Sequence, residues 1–298
     1  MLRVVLAPLI FAIHLPLQLA NLALWGGLVI VFGLLRFLLP IAAVQRALAP
    51  LMNLFMLCFG KCSLALIRLF NPVILDYRVR GELSKENWYL IVANHLSYLD
   101  IILLIEFSAF RIPAPKFFLK QELIWLPFVG LAAWALEMPF MKRYSAAYLK
   151  KYPHKRGADI ETTKRYCQKF RHKPTTVINF VEGTRFTPAK HASKQSPYQH
   201  LLPPKAGGIA FTLATMGELF TNILDISLLY PDNPKHPMLA MLSGQMRRIV
   251  VDVNVVDIPA EAIGDYYTDE QFKAGFQQWV NTLWQNKDRN IIGLKKGN

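Results

Sequence analysis

Two polar clusters stand out in this chain of 298 residues: Asn94-His95-Leu96-Ser97-Tyr98-Leu99-Asp100 and Glu182-Gly183-Thr184-Arg185. In the first, the residues after Ser97 read as a helix. With Ser97 as its cap, His95 falls in the preceding loop and Asp100 in the first turn, where the helix dipole favours a carboxylate that can fold back. A carboxylate on one imidazole nitrogen leaves the other unprotonated, able to take a proton from a substrate hydroxyl near pH 7. That is general-base chemistry without a protein nucleophile. The same residues also spell the S-x-x-D capping pattern, which needs no catalytic role. In the second cluster, Arg185 can grip a phosphate bidentately, Thr184 can donate its hydroxyl, and Gly183 lets backbone N–H groups approach an anion. An ordinary Glu182–Arg185 ion pair fixing a turn explains that cluster equally well.

Both clusters follow short runs rich in β-formers, Trp88–Ala93 and Thr175–Val181. Ile223–Tyr230 and Ile249–Val256 read as further strands, the second alternating Val with Asp252 and Asn254 as a half-exposed edge does. Thr268, with Gln271 three residues on, opens a helix in a capping-box pattern, and Phe272, Phe276, Trp279 and Leu283 form its apolar stripe. Helices alternating with strands predict an α/β sheet, whose ligands collect beyond the carboxyl ends of the strands. Residues 186–206, with four prolines, read as a long functional or mobile loop.

Ahead of this domain the chain is apolar. Val4–Leu35 holds 32 residues without a formal charge, long enough to span a bilayer, although Pro8 and Pro16 restrict the regular helix to about residues 17–38. Ala47–Gly60, only 14 residues before Lys61, is short for a span and completes a helical hairpin partly in the interface, or forms a buried core helix. A cleaved signal peptide fits poorly, because the apolar run is too long for its h-region. The composition shift after Asn71-Pro72 divides the chain into a membrane-anchoring part, 1–72, and a catalytic domain, 73–298.

Charge is unevenly spread. The chain has 34 Lys and Arg against 20 Asp and Glu. Residues 1–75 hold five basic and no acidic residues, and 140–173 hold eleven basic against two acidic, interleaved with Tyr144, Tyr148, Tyr152 and Tyr166. Beside a membrane anchor such a stretch is drawn to anionic lipid or an acidic carrier; single-stranded nucleic acid is the rival partner. Three cysteines, two of them four apart in an apolar run, suggest no disulfide framework and no metal site. The absence of HExxH and of G-x-S-x-G leaves neither zinc hydrolysis nor an acyl-serine supported.

Together the N-H-x4-D and E-G-T-R blocks resemble the phospholipid/glycerol acyltransferase family, PlsC-like lysophosphatidic acid acyltransferases, with a nearest likeness to bacterial YihG-type inner-membrane members. The resemblance runs through Lys120-Gln121-Glu122, Met138–Tyr144, Phe180–Thr187 and Leu201–Lys205, over most of residues 85–285. It implies a glycerolphosphate-acyltransferase-like α/β domain behind an apolar helical hairpin in the membrane. It implies that His95 is the base and Asp100 its orienting partner, and that Arg143, Glu182, Gly183, Thr184 and Arg185 lie at the acceptor's phosphate side, with Lys205 as a further anion contact. Where that family's second block begins with Gly in G-x-x-F-x-x-R, this chain has Glu137, while Phe140 and Arg143 match. The implied reaction moves a fatty acyl group from acyl-CoA or acyl carrier protein to a lysophospholipid hydroxyl, most nearly that of 1-acylglycerol 3-phosphate. It implies membrane lipids as partners, no nucleic acid, no metal or cofactor, and a cytoplasm-facing site at the bacterial inner membrane. A membrane-anchored basic binding module and a lipid esterase are the other function classes that the residues allow.

Overall fold

The computed structural model describes residues 2–141, 173–266 and 268–296. The N-terminal hairpin is longer than the prolines suggest. Helix α1 runs unbroken over Leu2–Leu38, through Pro8 and Pro16, and α2 over Ala42–Phe70, through Pro50. Each proline removes one backbone donor, a loss that apolar helices packed on neighbours tolerate. Helix α2 also continues past Lys61, because Glu106 neutralises that ammonium at 2.6 Å. Both helices are long and apolar enough to cross a membrane, by length and composition.

The hairpin lies along the α/β domain. Near the start of α1, Ile10 sits against Gly244, and near its end Gly33 comes so close to Ala135 that a Cβ on it would stand 2.4 Å from the alanine's. Helix α2 buries Met52, Met56, Gly60, Leu64 and Ile67 along one face. Polar clamps join the two parts: Arg36 with Glu137 at 3.4 Å, Lys61 with Glu106, and Lys116 Nζ donating to Asn53 at 3.3 Å.

The domain's strands are β1 (Ile74–Arg80), β2 (Tyr89–Ala93), β3 (Pro115–Phe117), β4 (Leu119–Lys120), β5 (Phe140–Met141), β6 (Thr176–Phe180), β7 (Asn222–Leu229) and β8 (Arg248–Asp257). Its helices are α3 (Leu99–Ser108), α4 (Val129–Ala135), α5 (Pro188–Ser193), α6 (Ala206–Met216), α7 (Pro237–Leu242) and α8 (Glu270–Lys296). The main sheet has the order β1-β8-β7-β2-β6-β3 and is parallel except where β7 meets β8; β4 and β5 pair separately. One core holds α1 to α4 and α7 against the sheet, and a second holds α6 and α8 on the other face. The mixed α/β architecture behind an apolar helix pair is the one the sequence predicts.

Three local readings change. Strand β8 is interior, and Asp252, 1% exposed, faces the two guanidinium nitrogens of Arg80 at 2.9 and 2.7 Å and Asn290 at 2.7 Å. Asp252 there is a buried carboxylate paired with a half-exposed guanidinium. Asp269, not Thr268, caps α8, accepting from the backbone N–H groups of Gln271 and Phe272 at 2.9 and 3.0 Å, while Thr268 bonds Asp265. Residues 186–206 are pinned: α5 lies within them, Asp288 accepts from Gln199 and His200 N–H at 2.8 and 2.9 Å, and Trp284 donates to the Leu202 carbonyl at 2.9 Å. Strand β1, with its charged alternation Asp76, Arg78, Arg80, was not legible as a strand because no apolar run marks it.

Candidate active site

Three adjacent parallel strands, β7, β2 and β6, end at one edge of the sheet, with Ala93 opposite both Phe180 and Ile226. From that edge come Tyr230, His95 and Glu182. Asn94 anchors the first loop by docking its side-chain amide on β7 like a short strand: it donates to the Leu228 carbonyl at 3.0 Å and accepts from the Leu228 N–H at 2.8 Å. His95 then leaves the sheet with its ring stacked on Phe180, centroids 4.1 Å apart, and its carbonyl accepting from Phe186 N–H at 2.7 Å.

Asp100, wholly buried in the first turn of α3, folds back as the sequence predicts. Its Oδ2 lies 2.7 Å from His95 Nδ1 and accepts from the backbone N–H groups of Leu96 at 2.6 Å and Ser97 at 2.9 Å. The capping pattern and the His–Asp pair are therefore one structure, in which Asp100 caps the backbone and holds the ring. Because an ionised carboxylate only accepts, Nδ1 carries the hydrogen and Nε2 keeps its lone pair. The imidazole is poised as a base, and its side chain is 13% exposed.

Tyr230 was not found from the sequence. Its phenol donates to Asp100 Oδ1 at 2.5 Å, the other carboxylate oxygen from the one facing His95. Burial first, then the carboxylate's charge and this bond, keep the phenol protonated well above its ordinary range. Its only sequence signal was its position at the carboxyl end of the expected strand Ile223–Tyr230. Lys287 of α8 was missed as well: its buried ammonium pairs with Asp225 and donates to the carbonyls of Ile226 at 2.6 Å and Val92 at 3.3 Å. It fastens the ends of β2 and β7 from below.

The second cluster divides. Gly183 turns the chain at a φ of 66°, where only glycine is unstrained, and its N–H donates to the Phe180 carbonyl at 2.9 Å. Arg185 is exposed, its guanidinium 4.0 Å above the Tyr98 ring. Thr184, half-buried, accepts from Lys190 Nζ at 2.8 Å, and the same ammonium donates to the Arg185 carbonyl at 3.0 Å. Lys205 is exposed just before α6, its backbone N–H donating to the Val181 carbonyl at 2.9 Å. Glu182 stands apart from these groups. Its side chain is wholly buried and accepts from Leu202 N–H at 3.0 Å, and it makes no ion pair with Arg185. Burial pushes its carboxyl up to about 8, against the lowering by the Leu202 and His95 backbone N–H groups and by Lys287. Glu182 is thus an internal brace, buried together with Val181 where the chain leaves β6. Arg143 and the tyrosines of the basic stretch lie outside the described residues.

Chemically, the edge offers a held imidazole, a buried brace and an exposed cationic turn within one loop layer. The chain is similar to 1-acyl-sn-glycerol-3-phosphate acyltransferase delta of Homo sapiens, 27% identical over 228 residues, covering 72% of this chain and 55% of the relative. It is similar to 1-acyl-sn-glycerol-3-phosphate acyltransferase gamma of Mus musculus, 29% identical over 181 residues, covering 58% of this chain and 44% of the relative. The chain spans about half the length of the curated relatives it matches. In fold it is similar to the crystal structure of the 1-acyl-sn-glycerophosphate (LPA) acyltransferase, PlsC, from Thermotoga maritima, with a TM-score of 0.59, 19% identity and 97% of each chain covered. The Acyltransferase family model matches residues 76–229, from within β1 through β7, and with both polar clusters inside that span the chain belongs to the Acyltransferase family.

Proposed function

We propose that this protein is a membrane-associated lysophospholipid acyltransferase that moves a fatty acyl group from a thioester to the free hydroxyl of 1-acylglycerol 3-phosphate, giving phosphatidic acid. The carrying observation is the imidazole of His95, held through Nδ1 by a wholly buried carboxylate at 2.7 Å with Nε2 left to act. Nε2 takes the hydroxyl proton as that oxygen attacks the thioester carbonyl. The tetrahedral intermediate collapses with cleavage of the C–S bond, and the imidazolium returns the proton to the departing sulfur. No protein acyl intermediate and no cofactor takes part. Arg185, with Gly183, Thr184, Arg143 and Lys205, meets the acceptor's phosphate. The names of the similar human and mouse proteins support this acceptor.

Acyl-CoA and acyl carrier protein both fit as donors. Residues 1–72 anchor the chain in the membrane and 73–298 catalyse, with the site facing the cytoplasm at a bacterial inner membrane, in keeping with the YihG-type likeness. The test supplies membranes carrying wild type or His95→Ala with labelled oleoyl-CoA or oleoyl carrier protein and lysophosphatidic acid. Wild type forms labelled phosphatidic acid and the variant falls by ~10²-fold or more. Equal product from both overturns the reading, and release of free fatty acid alone assigns a hydrolase instead.

A further inference from the structure

The α/β domain carries an apolar surface of its own that the hairpin does not cover. Between the short 3-10 turn Gln121–Trp125 and α4, the chain exposes Trp125 (86%), Leu126 (48%), Phe128 (44%) and Leu131 (52%) within seven residues. A cluster of this kind on a water-facing surface marks an interaction site. Its backbone is also held in an unusual state. Phe128 has a φ of 60°, a conformation that a bulky side chain rarely adopts. Val129 N–H donates to the Pro127 carbonyl at 2.6 Å and Gly130 N–H to the Leu126 carbonyl at 2.8 Å, so the turn is tight. A Cβ on Gly130 would fall 2.0 Å from the Ile124 carbonyl oxygen, so only glycine allows the chain to close there. The fold thus accepts strain in order to present aromatic and aliphatic side chains outward.

What covers them follows from what adjoins them. Phe128 packs beside Gly26 of α1, and Trp134 of α4 meets Phe37 of α1 with ring centroids 5.9 Å apart. Helix α1 in turn exposes a stripe seven residues apart, Leu17, Leu24, Val31 and Leu38. Phe37, itself 68% exposed, joins the apolar surface of α1 to α4, so lipid that wets that side of α1 also reaches residues 125–131. Strand β3, parallel to β6, ends at the sheet edge that bears His95, and the chain runs from it through β4 and the 3-10 turn to this segment.

We propose that residues 125–131 are a membrane-inserting tip of the catalytic domain, with Trp125, Leu126, Phe128 and Leu131 entering the acyl region of the leaflet that the outward face of α1 occupies. The partner is a lipid bilayer, and the anchor is a surface shared by the hairpin and the domain. The proposal rests on the reading of the chain as a membrane enzyme, but its test needs no catalysis.

The experiment uses the full chain with Cys58, Cys62 and Cys167 replaced by Ser, and a nitrobenzoxadiazole fluorophore on Trp125→Cys, on Leu131→Cys, or on Gln285→Cys of α8 across the sheet. Each is reconstituted into phosphatidylethanolamine and phosphatidylglycerol vesicles, with or without acyl-brominated lipid. The expected result is blue-shifted emission, quenched by the bromines, at 125 and 131, and water-like, unquenched emission at 285. Emission at 125 and 131 as water-like as at 285 overturns the proposal. A blue shift without vesicles that grows with protein concentration also overturns it, and assigns the patch to a second copy of the chain. As a second arm, Trp125→Ser with Leu131→Ser keeps the protein floating with vesicles through its hairpin. It loses several-fold in product formed from vesicle-borne lysolipid and none from a short-chain acceptor dissolved in water. Equal loss on both acceptors counts against the tip. If wild type forms no product at all while the label is quenched, the proposed reaction fails and the membrane tip stands.

Discussion

The loops after β2 and β6 leave neighbouring strands in register, yet they are built in opposite ways. After β2, every charged or polar atom that bears on His95 is committed: Asn94 to β7, Asp100 Oδ2 to the ring and two backbone N–H groups, and Oδ1 to Tyr230. After β6, the brace Glu182 is buried, while Arg185 stands in solvent with one aromatic face beneath it and Lys190 bridging the turn. The difference has a physical logic. A base must hold one tautomer and one direction before substrate arrives, whereas a cation that captures a phosphate must reach it from solvent. Preorganisation belongs to the first loop and accessibility to the second.

That contrast assigns different kinetic signatures to the two loops. The largest effect belongs to His95→Ala, with kcat down by ~10²-fold or more and KM for the acceptor little changed, read from initial rates in membranes. A large rise in KM with kcat intact would place His95 in recognition instead. Arg185→Ala should do the reverse, raising the KM for phosphate-bearing acceptors by roughly 10-fold, within the range of a charged hydrogen bond, while kcat holds. Measuring both on the same lysolipid breaks the comparison if the two variants behave alike.

Tyr230→Phe sharpens it further. Removing the phenol leaves Asp100 Oδ1 without its donor and frees the carboxylate to turn, so that it holds the His95 ring less firmly. A several-fold loss of kcat with KM for the acceptor unchanged is expected, read from initial rates on the same lysolipid. A kcat identical to wild type removes Tyr230 from the positioning of this pair.

The last effect is thermodynamic. Glu182 is held up at about 8 from an ordinary 4.5, so the folded state keeps a proton that the unfolded chain gives up. The stability slope with pH follows the protons bound unfolded minus those bound folded, which is negative here, so this group costs stability as pH rises from 4.5 towards 8. Glu182→Gln keeps a neutral, hydrogen-bonding side chain and removes that slope. Relative to wild type, its Tm should gain roughly 5–10 °C between pH 5 and pH 8, from about 3 kcal/mol of linkage, read by thermal unfolding in detergent. Parallel Tm curves would mean that Glu182 is ionised throughout.

Much of the first loop was legible in one dimension. The spacing of His95, Ser97 and Asp100 encloses a single helix start, and local rules of capping and dipole already bring the carboxylate back to the ring. The α/β class followed from the alternating runs, and the apolar N-terminus from its lack of charge. Two readings failed where a distant partner intervened, and one where a neighbouring carboxylate competed. Asp252 looked like the outward face of an edge strand until Arg80 and Asn290 enclosed it, Lys61 looked like a helix end until Glu106 took its charge, and Thr268 lost the cap to Asp269 one residue on.

Short-range chemistry in the chain thus settled which residues form the His–Asp pair and the glycine turn, because those bonds close within a few residues and depend on little beyond local backbone geometry. Folding settled the rest. Tyr230 reaches an acid 130 residues earlier because the sheet places β7 beside β2, Lys287 reaches both strands because α8 packs beneath them, and Glu182 turns inward because the core lies on that side of β6. Such contacts join positions far apart in sequence, and no local propensity encodes them; strand order and helix packing, set by burying two apolar cores on one sheet, decide who meets whom.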